Sequence, residues 1–468
     1  MKNLILVSFL LLTSCATGLR ESATAPTRPN GRTVVLFLVD GLGTKALQNA
    51  LKANRLPNLR RFFLRDSNSF PVGRASFPTQ TYPNLSSVLT ARPIGEQPVL
   101  GNHMLLPNGK VANYEDAKSH EALRVLIDSQ SVIARLESEG RETASFSYVL
   151  GMNASSHMRV GITEGLDYQR HDYMSLDDRL LTSLAELLTE RRDPRFWPEF
   201  VYMHLIGVDA VSHRFGPYSR EALDYLTWLD GRFGPVLSAL AKGEKRKQVI
   251  SMLTADHGFV ETKRYVSLKK KLVKADLELV ITNEGRFLGL YLPKNHEPEE
   301  LGKAIEIALR NKGVELTAWR RGNVLEIATA KSKFRLAFGP AACGEPYSLA
   351  LLPESNLAPA SFSCANSFDE GKGLYPFLVT QLARYLTAPG HPDAIVIARP
   401  EVSFSKGAKA NHGGPTADET LVPLLTRGAT LQGEGPVPTS GILNIVFQPL
   451  PTIENIKTKP TVRQARAQ

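Results

Sequence analysis

Residues Thr33–Val39 read TVVLFLV, an apolar run with no charge in it, and the run ends on Asp40-Gly41. A strand that alternates apolar and polar residues buries one face. A continuous run needs cover on both, which a mostly parallel sheet flanked by helices provides. Runs of the same kind lie at 144–149, 200–206, 248–253 and 394–398. Between them apolar residues recur at helical spacing, over roughly 43–53, 83–91, 128–138, 175–191, 218–241 and 374–387. This alternation predicts an α/β fold, a mostly parallel central sheet with helices on both faces. Ligands of such folds gather beyond the C-terminal ends of the strands, which makes Asp40 a candidate functional group. The stretch from about 260 to 390 differs. It carries a basic segment (KRYVSLKKKLVK, 263–274), a helical pattern near 298–312 and short strand-like pieces such as NVLEIATA and KFRLAFG. We read it as a smaller α+β subdomain inserted into a catalytic domain spanning 33–448.

Of the 468 residues, 43% are hydrophobic and 22% charged, the balance of an ordinary globular protein. A mean hydropathy of −0.15 argues against a polytopic membrane protein. The net charge of +10 is 56 basic minus 46 acidic residues, but no long basic run occurs, so nucleic-acid binding is not expected.

The N-terminus carries Lys2, an apolar stretch Leu4–Leu12, and then Thr13-Ser14-Cys15. The stretch is too short to span a bilayer, which takes about 20 residues, and it fits an export signal. The ending resembles the lipobox of bacterial lipoproteins. That implies a signal peptide over 1–14, a lipidated Cys15 and anchoring to a membrane without a spanning helix. Ala16 stands where an aspartate would signal retention at the inner membrane, so the outer membrane of a bacterial envelope is favoured. Residues 15–32 read as a flexible tether and 449–468 as a disordered tail. With Cys15 lipidated, Cys343 and Cys364 remain as an even pair. In an oxidising envelope they are candidates for a disulfide closing a loop of about 20 residues, with two separate buried thiols as the alternative.

Four further segments carry chemistry-bearing residues. In PTQTYPNLSSVLTARP (78–93), Thr81 stands at the start of a predicted helix, where unpaired N–H groups and the helix dipole favour negative charge. A plain N-cap would look the same. In HLIGVDAVSHRFGP (204–217), Asp209 and His213 are one helical turn apart, a spacing for two metal ligands or for a surface pair. In LTADHGF (253–259), Asp256 and His257 follow a strand and precede a glycine. His412 lies in the glycine-rich KANHGGP. The histidines at 103, 120, 157, 171, 204, 296 and 391 have no comparable setting and read as structural or surface residues. Three aspartates and three histidines can serve two divalent cations; oxygen with imidazole nitrogen suits zinc, then manganese or iron.

The motifs VDG (39–41), PTQTYPN (78–84), VDAVSHRFGP (208–217), ADHGF (255–259) and NHGG (411–414) resemble those of the alkaline phosphatase superfamily, in its type I phosphodiesterase/nucleotide pyrophosphatase branch. The resemblance covers about 33–430 in the family's order and implies an alkaline-phosphatase-like fold. By resemblance Thr81 is the nucleophile, and Asn102, 21 positions on (102 minus 81), binds a nonbridging phosphoryl oxygen. Asp40, Thr81, Asp256 and His257 would hold one metal ion, and Asp209, His213 and His412 the other. Val208 and Ser212 replace a proline and a glycine that usually flank these ligands. The C-x-P-x-R signature of sulfatases is absent, and we find no Lys-x-Arg pair that is clearly of the kind that clamps monoesters. Arg159 and Arg170 are candidates for that role that the sequence does not place.

The resemblance implies a two-metal phosphoric ester hydrolase working through a covalent phosphothreonine. Without a clear clamping Lys-x-Arg pair, phosphodiesters or nucleotide pyrophosphates are favoured over monoesters. The expected substrate is a small phosphate ester of the nucleotide or lipid-headgroup class. A phosphomonoesterase, a phosphoryl-group transferase and a non-catalytic binding lipoprotein are the competing readings.

Overall fold

A computed structural model describes residues 32–65, 69–158, 161–245, 248–293, 298–341, 347–352, 363–364, 373–431 and 435–447. The signal segment 1–14, Cys15, the tether up to residue 31, Arg159, Cys343, the side chain of Cys364 and the tail 449–468 lie outside the described residues.

The central sheet is built on β1 (Thr33–Val39), β2 (Thr143–Phe146), β3 (Ser156–His157), β4 (Phe200–Leu205) and β5 (Val249–Thr254), with Leu425–Arg427 at one edge. The order across the sheet is Leu425–Arg427, β5, β1, β4, β2, β3. Every pair is parallel except the edge strand on β5. β1 shows why its sequence is continuously apolar. Val35, Phe37 and Val39 pack against helices Thr44–Lys52, Tyr173–Glu190 and Arg220–Glu244. Val34, Leu36 and Leu38 pack on the opposite face against Thr81–Thr90, His120–Ile127 and Val132–Ser138. Phe37 meets Phe233 edge-on, with ring centroids 5.2 Å apart. Truncating such a fully buried ring to alanine costs about 3–5 kcal/mol.

A second sheet of eight strands contains β6 (Val280–Asn283), β7 (Phe287–Tyr291), β8 (Val314–Arg321), β9 (Val324–Thr329), β10 (Lys333–Gly339), β11 (Ser348–Leu351), β12 (Ser363–Cys364) and β13 (Ala394–Ala398). Its order is β6-β7-β13-β8-β9-β10-β11-β12, antiparallel throughout. This corrects the expectation that 394–398 is a strand of the parallel sheet. β13 sits between β7 and β8, with Ile395 and Ile397 against helix Leu378–Tyr385 and Val396 against helices Leu268–Lys274 and Pro298–Leu309. Cover on both faces makes an antiparallel core strand as apolar as a parallel one. Among the described residues, no helix is long and apolar enough to cross a membrane.

Candidate active site

Three neighbouring strands deliver the candidate ligands at one edge of the central sheet. Leu38 is level with Thr254 on one side and His204 on the other, so the ends of β5, β1 and β4 lie together. Asp40 follows β1, Asp256 and His257 follow β5, and Asp209 and His213 lie on the helix Gly207–Phe215 that follows β4. Gly41 lets these segments close. Its φ is +72°, and a Cβ there would lie 2.9 Å from the Asp209 Cα and 2.6 Å from the Phe259 ring. Its N–H donates to Asp256 Oδ1 at 3.1 Å.

The imidazoles are oriented by backbone carbonyls. Nδ1 of His213 lies 3.1 Å from the Ala410 carbonyl, Nδ1 of His412 lies 2.9 Å from that of Thr79, and Nδ1 of His257 lies 3.2 Å from that of Gly258. A carbonyl only accepts, so each Nδ1 carries the proton and each Nε2 presents a lone pair. Those lone pairs converge. Nε2 of His213 and of His412 are 3.1 Å apart, and both lie 3.7 Å from Asp209 Oδ1. Nε2 of His257 lies 3.4 Å from Asp40 Oδ1, 3.3 Å from Asp256 Oδ2 and 4.0 Å from Asp209 Oδ1. These three carboxylate oxygens are buried and have no hydrogen-bond partner. Burial, with Asp256 and Asp209 beside it, pushes the Asp40 carboxyl well above the usual carboxylate range. Burial and the two neighbouring histidines hold His412 well below the usual imidazole range, which keeps it neutral. Acceptor atoms facing one another in a buried space repel unless a cation lies between them, so this donor set fits divalent metal ions. Two groups of three converge most closely, Asp40 with Asp256 and His257, and Asp209 with His257 and His412.

The PTQTYPN segment shapes the opposite wall. Asn84 accepts from Ser76 N–H at 2.7 Å and donates to the carbonyls of Pro78 and Gln80, both at 3.0 Å, holding the turn that leads into helix Thr81–Thr90. Thr79 Oγ1 donates to the Gly414 carbonyl at 2.7 Å and accepts from Gly413 N–H at 3.0 Å, which pins the His412 loop. Thr81 then stands as the first helical residue, its Oγ1 3.3 Å from His257 Nε2. Asn102 accepts from Tyr82 N–H at 3.1 Å and donates through Nδ2 to Glu115 Oε1 at 3.1 Å. The structure therefore brings Asp40, Thr81, Asn102, Asp209, His213, Asp256, His257 and His412 into one site. Arg170 ends helix Ile162–Gln169 and forms no ion pair with these residues.

Three contributors escaped the sequence reading. His204, read there as structural or surface, lies in β4 with Nε2 2.9 Å from Asp40 Oδ2 and orients that carboxylate. Burial lowers its pKa to about 4, so it stays neutral. Glu284, in the turn between β6 and β7, accepts from the N–H groups of Asn102 at 3.1 Å and His103 at 2.9 Å. Its own carbonyl accepts from Gln80 Nε2 at 2.6 Å, so the antiparallel sheet braces both Thr81 and Asn102. Glu115 is the third. A polar residue inside an apolar run was the available signal for His204; for the other two there was none.

The sequence profile described as type I phosphodiesterase/nucleotide pyrophosphatase matches residues 34–340. The chain belongs to this family. The matched span carries seven of the eight site residues, and His412 lies beyond it. Among curated relatives, ectonucleotide pyrophosphatase/phosphodiesterase family member 3 of Mus musculus is 24% identical over 233 residues, 49% of this chain and 25% of its own length. Family member 1 of Homo sapiens is 24% identical over 262 residues, 54% of this chain and 27% of its own length. The chain thus spans about a quarter of these relatives. The fold is shared with phosphonoacetate hydrolase from Sinorhizobium meliloti 1021, solved with phosphonoformate and with phosphonoacetate. The TM-score is 0.57 at 14% identity, covering 89% of this chain and 96% of that one.

Proposed function

We propose that this protein is a metal-dependent phosphodiesterase of the nucleotide pyrophosphatase type, acting through a covalent phosphothreonine at Thr81. The observation that carries the reading is the position of Thr81 Oγ1, at a helix N-terminus and 3.3 Å from the His257 nitrogen on which both groups of converging donors meet. Asp40, Asp256 and His257, with Thr81, would hold one divalent cation, and Asp209, His213 and His412 a second; carboxylate with imidazole suits zinc. Bound there, such ions supply positive charge that favours the ionised Thr81 hydroxyl and the crowded phosphoryl oxygens.

The chain's own residues then act as follows. Thr81 Oγ1 attacks phosphorus in line, its bond to phosphorus forming as the bond to the leaving oxygen breaks, and the leaving oxygen takes a proton. Asn102 receives a nonbridging oxygen with the N–H not engaged by Glu115, and the positive end of the helix dipole adds to it. His204 keeps Asp40 in place. Water then attacks phosphorus, breaks the bond to Thr81 and releases a phosphate monoester from a diester substrate.

The diester preference is supported by charge. Among the described residues no ion pair joins a lysine or arginine to Asp40, Asp209, Asp256 or Glu115. The N-terminal sequence supports attachment to a bacterial envelope membrane through lipid on Cys15, the outer membrane favoured; Cys15→Ser should release the protein from the membrane fraction.

The test compares a nucleotide p-nitrophenyl ester with p-nitrophenyl phosphate, using zinc-loaded protein, Thr81→Ala and a chelator. Faster turnover of the diester, lost in both controls, is expected. Faster turnover of the monoester would move the assignment to a phosphatase, and activity surviving in Thr81→Ala would overturn the nucleophile.

A further inference from the structure

A cavity of about 360 Å³ opens beside the antiparallel sheet, and Arg264, Arg310, Asn311, Lys312 and Arg399 line it. None of these residues belongs to the donor groups around His257. The four cations come from three separate parts of the chain. Arg310 and Lys312 follow helix Pro298–Leu309, Arg264 starts the short strand Arg264–Tyr265, and Arg399 follows β13. Like charges gathered in one cavity repel, and their compensation is incomplete. Arg310 pairs with Glu306, and Arg399 Nε lies 3.6 Å from Glu315 Oε2. Arg264 Nη2 donates to the Lys312 carbonyl at 3.3 Å, but among the described residues no carboxylate pairs with Arg264 or Lys312. Four cations less two carboxylates leave two positive charges unmatched.

Asn311 supplies an independent sign of a missing ligand. Its Oδ1 accepts from Gly313 N–H at 2.9 Å, which fixes the amide so that Nδ2 is the free end. That Nδ2 is buried and has no hydrogen-bond partner among the described residues. A buried donor without an acceptor is costly, and an acceptor atom brought by a ligand removes the cost. The helix dipole accounts for cations just past the end of Pro298–Leu309. It does not account for Arg264 and Arg399 on other elements, nor for the unmet Asn311 donor.

We propose that this cavity is an anion-binding site that takes a doubly charged phosphate group, carried either by a soluble phosphate compound or by an anionic lipid headgroup. Two unmatched positive charges balance a dianion, and guanidinium forks match phosphate oxygens in pairs. The Asn311 Nδ2 then donates to one of those oxygens. The site uses no residue of the candidate active site and binds its ligand without turning it over, so it stands independently of the phosphodiesterase reading.

The test is a calorimetric titration of the full chain with inorganic phosphate, with and without zinc. One binding event should persist without zinc. Asn311→Asp keeps an acceptor for Gly313 N–H but replaces the free donor by a carboxylate, so it should abolish that event without lowering the melting temperature. Lys312→Gln combined with Arg264→Gln should weaken it by about tenfold. Neither variant should change kcat/KM for a p-nitrophenyl diester. A second arm sediments the Cys15→Ser chain with phosphatidylcholine vesicles, with and without phosphatidic acid. Sedimentation that needs phosphatidic acid and is lost in Asn311→Asp assigns the site to a headgroup; phosphate binding without such sedimentation assigns it to a soluble compound. Absence of any zinc-independent phosphate binding by wild type, or binding of unchanged affinity in Asn311→Asp, would overturn the proposal and leave the phosphodiesterase reading untouched.

Discussion

Replacing Glu284 by glutamine should destabilise the protein and slow it, although residue 284 touches none of the proposed metal ligands through its side chain. The carboxylate is 1% exposed and accepts from Asn102 N–H at 3.1 Å and His103 N–H at 2.9 Å, with His103 Nδ1 at 3.4 Å. Glutamine offers one acceptor oxygen and an NH2 group, so one of the two backbone donors is left facing another donor. A hydrogen bond to a charged group contributes about 1.5–3 kcal/mol, and a buried unpaired donor costs about 1–3 kcal/mol. We therefore expect a loss of about 3 kcal/mol in urea unfolding. The Asn102 segment should shift, and a displacement of about 1 Å at a positioning group costs up to about a hundredfold in rate. A third readout separates this from general damage. Hydrogen bonding to Glu284 raises the His103 pKa, so Glu284→Gln should lower the His103 titration midpoint followed by NMR. A variant with wild-type stability, wild-type kcat/KM for a p-nitrophenyl diester and an unmoved His103 midpoint would refute the reasoning.

His204→Gln should weaken zinc binding about 10- to 100-fold by freeing Asp40, measured by chelator competition; unchanged affinity would deny His204 its orienting role. Arg286 and Glu419 form a fully buried pair at 2.9 Å whose carboxylate also accepts from Gly414 N–H at 2.7 Å. Arg286→Met should cost about 3–5 kcal/mol in thermal or urea unfolding, and a cost below about 1 kcal/mol would contradict the account. Asp177 accepts from Ile206 N–H at 3.0 Å, Gly207 N–H at 3.1 Å and the Tyr225 hydroxyl at 3.0 Å, and burial pushes its carboxyl up to about 7. The folded chain then holds a proton that the unfolded chain releases near about 3.9. The stability this contributes is complete below that value and is lost as pH rises through about 7. Asp177→Asn should flatten the fall in unfolding free energy between pH 4 and 8, and an identical slope in both proteins would count against it.

Much of the central sheet was legible because β1, β4 and β5 are buried on both faces and end on chemistry-bearing residues. Asp40, Asp209, Asp256 and His257 could be placed at one sheet edge from strand ends alone. Thr81 was legible for a local reason as well, since Pro83 and the apolar residues after it mark a helix start. β13 was misplaced because AIVIA says only that both faces are covered, which its position between β7 and β8 satisfies as well as a parallel sheet would. Glu284 reaches Asn102 across 182 residues of sequence, and Glu115 acquires meaning only through the amide it touches. Such contacts depend on how two sheets pack and leave no periodic trace in the chain. His204 lies inside an apolar strand, where a buried polar residue must find a partner, and Asp40 is that partner.

The most direct test of the central claim is intact-mass and peptide analysis of zinc-loaded protein quenched in acid during turnover of a nucleotide diester. The account predicts a phosphorus-linked adduct on the peptide containing Thr81, absent from Thr81→Ala and absent when a chelator is added before substrate. Sustained turnover with no adduct on that peptide, and with Thr81→Ala still active, would contradict it.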